Sequence, residues 1–216
     1  MGKLTGDEIA AAGLTGWTNL LGGLQTRIAT KDFAAGLALV DAIGAAAEAA
    51  DHHPDLDLRY THVAVRLRSH DVGAVTDRDV RMARRITALA AEAGLVTDRA
   101  AVARLEFALD TPARGRVTPF WAAVLGFERA ATDDIVDPYD ALPTVWFQES
   151  GDAEPRQRWH PDLWIDPAEV QPRIAAALAA GGTLVSDEEA PSFWVLADAE
   201  GNRVCLCTWQ DRHPKA

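Results

Sequence analysis

Four of the six histidines of this chain lie close together in its first half, and they are its clearest candidates for chemistry. His52 and His53 are adjacent and precede Pro54, and His70 follows a strand-like segment. Imidazole is the side chain that titrates nearest to neutral pH, so two histidines in different environments can supply an acid and a base together. Elimination of water from a small molecule needs both groups, because the leaving hydroxyl gains a proton while a neighbouring atom loses one.

A helix must bring the first two histidines into place. Apolar residues recur at three- and four-residue steps from Asp32 to Ala50, which predicts a helix that ends before Pro54. The carboxyl end of a helix is partly negative and stabilises a protonated imidazole by up to ~2 kcal/mol. We therefore expect His52 and His53 at a helix end, where one can be protonated while the other stays neutral.

A strand and a second helix must position the remaining candidates. Residues 60–68 alternate between apolar and polar side chains, which predicts a half-buried strand with His62 on its solvent face and His70 just after it. Thr76 and Asp79 have the spacing of a capping box that begins another helix. This spacing favours a capping role for Asp79, with a catalytic role as the alternative.

Three imidazoles also raise the question of a metal site. Adjacent residues such as His52 and His53 cannot easily both reach one ion from a regular helix. Catalytic zinc also needs three converging ligands with an ordered second shell. We therefore predict acid–base chemistry with no metal and no cofactor.

The composition argues against several classes of partner and compartment. Acidic residues outnumber basic ones by 32 to 21, and the net charge of −11 disfavours binding to nucleic acid or anionic lipid. The N-terminus lacks the pattern of a signal peptide, and no apolar run approaches the ~20 residues of a membrane span. Cys205 and Cys207 are expected to be small packing residues in a reducing compartment. We therefore predict a cytoplasmic protein without a nucleic-acid or membrane partner.

The sequence pattern changes after Gly94, which indicates a second domain. Two rough copies of one unit follow, each consisting of a strand, a helix, a glycine and further strands. A repeat of about fifty residues is typical of two supersecondary units packed as a pair. We therefore predict one domain at residues 1–97 and a second at residues 101–212.

The histidines of the first half belong to an ordered set of motifs. These motifs are Asp51-His52-His53-Pro54, Tyr60, Ser69-His70-Asp71 and Thr76-x-Arg78-Asp79. The set resembles the pterin-4a-carbinolamine dehydratase family over roughly residues 4–93. The resemblance implies an α+β fold with an N-terminal antiparallel four-stranded sheet backed by helices, and assembly as a homo-oligomer.

The resemblance also implies an activity and a set of site residues. The family dehydrates 4a-hydroxytetrahydropterin to quinonoid dihydropterin, a hydro-lyase reaction in tetrahydrobiopterin recycling or related pterin metabolism. It assigns catalysis to three histidines without deciding which is the acid and which is the base, and it assigns pterin contacts to nearby polar residues. The implied catalytic residues are His52, His53 and His70, the implied pterin contacts are Asp51, Arg68, Ser69 and Asp71, and Asp79 matches a further active-site acid.

One departure from the family pattern concerns aromatic residues. Members of the family often have an aromatic residue soon after His-His-Pro, whereas residues 55–58 contain none. We expect this change to loosen pterin stacking or to shift the preferred substrate, while the acid–base residues stay in place.

The second half contains motifs of a different kind. They are Leu125-Gly126-Phe127, Val145-Trp146-Phe147-Gln148 and His160-Pro161-Asp162-Leu163. They resemble the glyoxalase-like branch of the vicinal-oxygen-chelate fold and imply a duplicated βαβββ domain. This fold hosts unrelated chemistries, so the resemblance implies no particular activity.

Metal-using members of this fold place one ligand on each of four strands. The matching positions here hold His160, Gln148 or Glu149, Ala103 or Arg104, and Cys205, which do not form a consistent ligand set. The sequence therefore favours a metal-free pocket or a structural partner in the second half.

Two other functions are the alternatives to a pterin dehydratase. Relatives of the family also act as dimerisation partners, so a non-catalytic regulatory binding protein is one alternative. A metal-dependent glyoxalase-like or dioxygenase-like enzyme in the second half is the other. The intact histidine set argues against the first, and the incomplete ligand set argues against the second.

Overall fold

The chain divides into two units, residues 1–102 and 103–216. A computed structural model of the protein describes residues 2–130, 132–151, 159–197, 201 and 203–212. Each unit is built around its own buried apolar residues and is described separately below.

The first unit is an antiparallel sheet backed by helices. Its strands are ordered β1-β2-β4-β3, and a two-residue strand, β5, also pairs with β2. This arrangement confirms the predicted α+β fold with an antiparallel sheet. The elements in chain order are α1 (Gly6–Ala11), β1 (Thr18–Leu20), β2 (Gly23–Ala29), α2 (Phe33–Ala50), β3 (Asp55–Arg59), β4 (His62–Leu67), α3 (Asp77–Glu92) and β5 (Thr97–Asp98).

The alternation of side chains along β4 positions one face of the sheet in the core. Val63, Val65 and Leu67 are buried, and the residues between them are only half-buried, as the sequence pattern predicts. These side chains pack with apolar residues of α2 and α3 in one cluster. The preceding strand, β3, was not predicted, although Leu56 and Leu58 alternate with polar residues along it.

Helix α2 begins at the Asp32 cap, whose side chain accepts a hydrogen bond from the backbone of Ala35, and it ends at Asp51. One face of the helix packs into the core through Leu39, Ile43 and Ala47. With a mean hydropathy of 1.5 over 18 residues, α2 is long and apolar enough to cross a membrane by length and composition, which differs from the expectation that no apolar run approaches a membrane span. A core helix meets the same criteria, so composition alone does not make α2 a span.

Helix α3 begins with the predicted capping box. The Thr76 side chain accepts from the helix backbone, and the Asp79 carboxylate accepts from the backbone N–H of Thr76. These contacts satisfy N–H groups that lack partners inside the helix. They also fix Asp79 as a buried residue in the first turn of α3.

In the part that the structure describes, the second unit is one eight-stranded sheet with two helices. Its strand order is β11-β12-β13-β10-β6-β9-β8-β7. In each copy of the repeat the first strand pairs in parallel with the last, and the two first strands, β6 and β10, pair antiparallel at the centre. The elements are β6 (Ala103–Thr111), α4 (Arg114–Leu125), β7 (Glu128–Arg129), β8 (Ile135–Val136), β9 (Val145–Glu149), β10 (Trp159–Ile165), α5 (Pro167–Ala179), β11 (Thr183–Ser186), β12 (Phe193–Ala197) and β13 (Arg203–Cys207). The predicted duplicated βαβββ architecture is confirmed.

Candidate active site

The first two histidines lie just beyond the carboxyl end of α2, but their environments differ. Asp51 caps the helix in a left-handed conformation, with φ of 47°, and the chain then turns away. The side chain of His52 is buried, with 8% of its surface exposed, whereas that of His53 is 55% exposed. The same helix end therefore holds one shielded imidazole and one that is open to solvent.

The buried imidazole is paired with a buried carboxylate. Nε2 of His52 lies 2.8 Å from Oδ1 of Asp79, and Asp79 is fully buried. An ionised carboxylate only accepts hydrogen bonds, so Nε2 of His52 is the donor and carries a proton. Nδ1 is then the ring nitrogen that is free to gain or lose a proton.

The second oxygen of Asp79 holds the pair in place. Oδ2 accepts a hydrogen bond from the Ser69 hydroxyl at 2.7 Å and from the backbone N–H of Thr76 at 2.7 Å. A buried carboxylate is costly unless its oxygens are hydrogen-bonded, and these donors meet that requirement. The predicted capping role of Asp79 is therefore correct, and the same carboxylate also contacts His52.

The exposed imidazole has a partner, Glu48, that the sequence motifs did not predict. Nε2 of His53 lies 3.0 Å from Oε1 of Glu48, an exposed residue in the last turn of α2. Glu48 lies about one helical turn before the histidine pair, and this spacing is the sequence signal that could have indicated the contact. Nε2 of each histidine at the helix end thus contacts a carboxylate, which is buried for His52 and exposed for His53.

The third predicted histidine lies on a tight turn after β4. The backbone of Ser69 pairs with Ala74, and the N–H groups of Val72 and Gly73 donate to the Ser69 carbonyl. His70 is exposed, and within the described residues no hydrogen bond or ion pair joins it to His52 or His53. Because Ser69 is bonded to Asp79, the turn that carries His70 is nevertheless anchored to the carboxylate that holds His52.

The remaining predicted pterin contacts lie around this turn. Arg68 donates to the carbonyl of Gly73 at 2.6 Å and so supports the turn. Asp71 forms an ion pair with Arg78 of α3, and the hydrogen bond from Arg78 lowers the pKa of the Asp71 carboxyl. Asp51 is exposed, and its carboxylate reaches no partner among the residues that the structure describes. The structure thus joins His52, Ser69 and Asp79 directly and leaves Asp51 apart from them.

A groove of about 520 Å³ runs between α2 and α3, and His52 is one of its lining residues. Five alanines of α2 form one wall. Arg78, Arg81, Met82 and Arg85 of α3 form the other. The buried imidazole therefore faces a space that is large enough for a small molecule.

A separate cluster of potential ligands lies in the second unit. One ligand atom each from His160, Asp162 and Cys205 falls within 4.8 Å of the others. Asp162 is held by the indole N–H of Trp146, whereas its Oδ1 is buried and accepts no hydrogen bond from the described residues. Burial raises the pKa of both the Asp162 carboxyl and the Cys205 thiol. Nitrogen, oxygen and sulfur donors so close together fit a single cation such as zinc.

Asp162 was not predicted as a member of this cluster, because metal-using members of the fold place one ligand on each strand and His160 already occupied that position on β10. His160 and Asp162 are two residues apart on β10 and so share one face of the strand. Cys205 lies directly opposite Asp162 on the parallel neighbour β13. The prediction of no metal in this chain stays a prediction.

Comparison with known proteins gives a match for each unit. Residues 2–89 match the family described as pterin 4 alpha carbinolamine dehydratase. Residues 106–207 match a glyoxalase-like domain. Both resemblances drawn from the sequence motifs are confirmed.

Individual relatives of the first unit cover it almost completely. A protein of Nocardia farcinica provisionally named pterin-4-alpha-carbinolamine dehydratase is 39% identical over 89 residues, which are 40% of this chain and 94% of that protein. A provisionally named relative from Mycolicibacterium vanbaalenii is 40% identical over 88 residues, 40% of this chain and 95% of that protein. The crystal structure of a transcriptional coactivator/pterin dehydratase from Brucella melitensis is 31% identical, with a TM-score of 0.40, and covers 41% of this chain and 99% of that one.

Proposed function

Because the chain belongs to the pterin-4-alpha-carbinolamine dehydratase family through its first unit, we propose that it removes water from a 4a-hydroxytetrahydropterin to give the quinonoid dihydropterin. The observation that carries the proposal is the buried pair of His52 and Asp79, beside the exposed pair of His53 and Glu48. Two imidazoles in unlike surroundings are what a dehydration needs, since one must give a proton while the other takes one.

His52 is the proposed base. Asp79 keeps a proton on Nε2 of His52, so Nδ1 is available to take the proton from N5 of the pterin. The imidazolium that forms is stabilised by the adjacent carboxylate, as in other histidine–aspartate pairs. Ser69 and Thr76 keep Asp79 in place, so the pair does not reorganise as charge develops.

His53 is the proposed acid. Its protonated ring donates a proton to the 4a-hydroxyl, the C4a–O bond breaks, and water leaves as the C4a–N5 double bond forms. The proton taken by His52 balances the proton given by His53, so the enzyme returns to its starting state after proton exchange with solvent. The exposure of His53 and its contact with Glu48 allow that exchange.

His70 completes the proposed catalytic set. Its turn is anchored to Asp79 through Ser69, and its ring is exposed and free to contact the substrate. Arg68 and Asp71 support the same turn, which is consistent with indirect roles in pterin binding.

The test is dehydration of a 4a-hydroxytetrahydropterin by the full chain, followed optically at neutral pH. We expect His52→Ala and His53→Ala each to lower kcat/KM by about 10²–10⁴-fold, the usual contribution of one general acid or base, and His70→Ala to lower kcat/KM through the lost contact with the substrate. His62→Ala is the matched control, since His62 lies on β4 outside the proposed set. Wild-type rates in all three variants would refute the proposal.

We further propose that the protein works as a cytoplasmic homo-oligomer in a pathway that regenerates tetrahydropterins. Two apolar side chains of α2, Phe33 and Leu37, are each about half exposed, with 48% and 47% of their surfaces accessible. Exposed apolar side chains on one helix are typical of surfaces that another subunit covers. Light scattering of the full chain tests this point, and a monomer at micromolar concentration would contradict it.

A further inference from the structure

The groove between α2 and α3 has walls of opposite character. The α2 wall consists of alanine side chains, which offer no polar groups. The α3 wall carries Arg78, Arg81 and Arg85, which share one face of the helix at three- and four-residue steps. Among the described residues, no acidic side chain lines the groove, although the chain as a whole has a net charge of −11.

The arginines are incompletely neutralised by their neighbours. Arg78 is paired with Asp71, but its buried Nε has no hydrogen-bond acceptor among the described residues. Among the described residues, the ion pair of Arg85 is a long contact of 3.7 Å with Glu92. Arg81 has no ion pair within the part of the chain that the structure describes. The groove therefore carries an excess of positive charge.

Guanidinium groups in a row select a particular kind of ligand. Arginine donates in a fixed fork that matches the oxygens of a carboxylate or a phosphate, and such charge-assisted bonds are strong. Arg78 and Arg85 are seven residues apart, which corresponds to about 10 Å along a helix. The groove can therefore hold a flat ring near His52 and an extended anionic chain beside α3.

We propose that this groove selects 4a-hydroxytetrahydropterins whose ring substituent ends in an anion, either a phosphate or a carboxylate. The inference rests on the proposed dehydratase function and adds the class of substrate. In this scheme the reacting ring lies at His52, the one proposed catalytic histidine among the described residues that line the groove, and Arg81 and Arg85 contact the anionic end. The absence of an aromatic residue at positions 55–58 fits this scheme, because charge then contributes binding that ring stacking does not.

The experiment compares three substrates on the full chain. They are 4a-hydroxytetrahydropterins with a neutral alkyl substituent, with a phosphorylated hydroxymethyl substituent and with an aminobenzoyl-glutamate substituent. We expect kcat/KM for at least one anionic substrate to exceed that for the neutral one by about tenfold or more, mainly through a lower KM. A preference between the two anionic substrates identifies the anion as phosphate or carboxylate.

Variants test whether the arginines cause the preference. Arg81→Gln and Arg85→Gln are each expected to lower the ratio of anionic to neutral kcat/KM by about tenfold. Arg84→Gln is the matched control, because Arg84 lies on the same helix but donates to the carbonyl of Ala12 outside the groove. It is expected to keep the wild-type ratio.

The outcomes separate the two proposals. Equal kcat/KM for neutral and anionic substrates, with dehydration intact, would overturn the groove inference and leave the dehydratase function standing. If none of the substrates is dehydrated, the proposed function fails. The charge preference of the groove is then tested separately, by calorimetry with an oxidised pterin that carries a phosphate and an oxidised pterin that is neutral. Equal affinity for those two pterins would overturn the inference.

Discussion

Nε2 of His52 and Oδ1 of Asp79 lie 2.8 Å apart in the interior of the first unit, joining the end of one helix to the first turn of another. The two residues are 27 positions apart in the chain, and each also belongs to a local structure that would form without the other. Asp79 closes a capping box, and His52 follows a helix end. Two residues that are positioned by local structure, a helix cap and a helix end, thus form the central contact of the proposed site.

Asp79→Asn tests the charge of this pair. The side-chain oxygen must stay toward Ser69 and Thr76, which donate to it, so the amide nitrogen faces His52. Nε2 then has to accept, the proton moves to Nδ1, and the proposed base is lost. We expect kcat to fall by about 10²-fold or more, measured in the dehydration assay.

The control for this substitution is a variant that lacks the N-cap of another helix in the same unit. Asp32→Ala removes the N-cap of α2 and should lower the free energy of unfolding by about 1 kcal/mol with little change in kcat. Equal losses of kcat in Asp79→Asn and Asp32→Ala would mean that only stability, and not the His52 tautomer, is affected.

Ser69→Ala tests the anchoring of the His70 turn. The substitution removes a buried hydroxyl that donates to Asp79 at 2.7 Å. Leaving a buried carboxylate with fewer donors costs about 1–3 kcal/mol, so the free energy of unfolding in denaturant should fall by that amount. Thr61→Ala, at an exposed turn, is the control and should change it by less than about 0.5 kcal/mol. An unchanged stability in Ser69→Ala would show that this bond does not hold the turn.

Local signals along the sequence predicted much of the first unit, but not its contacts. The capping spacing of Thr76 and Asp79 and the helix end before His52 follow from backbone preferences over a few residues, and both are present. The pairing of His52 with Asp79 depends on how α2 and α3 pack, which no short-range pattern encodes. Glu48 was missed because an exposed acid in a helix has many ordinary roles.

Glu106 of β6 makes the stability of the second unit depend on pH. Burial raises the pKa of its carboxyl to about 7, even though the indole N–H of Trp164 donates to it at 2.7 Å. In the unfolded chain the same group ionises near 4.5. Between pH 4.5 and about 7 the folded state therefore keeps a proton on Glu106 that the unfolded state has lost. The free energy of unfolding falls as pH rises through this range.

Glu106→Gln should remove this part of the pH dependence. The amide can still accept from Trp164 but does not ionise, so the variant should be more stable than wild type at pH 8, by up to about 3 kcal/mol, and similar at pH 4. Tryptophan fluorescence during denaturation is a suitable measurement, because six of the seven tryptophans lie beyond residue 102. A stability difference that is the same at both pH values would contradict the assignment.

Dehydration should survive thorough chelation. The proposed acid and base are imidazoles paired with carboxylates of the first unit, and the one group of three potential metal ligands among the described residues lies in the second. Dialysis against a strong chelator should therefore leave kcat and KM within about twofold of the untreated protein. Asp162→Asn, which alters the ligand cluster, is the companion variant and should also keep the dehydration rate. Loss of activity that zinc restores would contradict metal-free acid–base catalysis, because the proposed histidines would then act through an ion and not directly on the pterin.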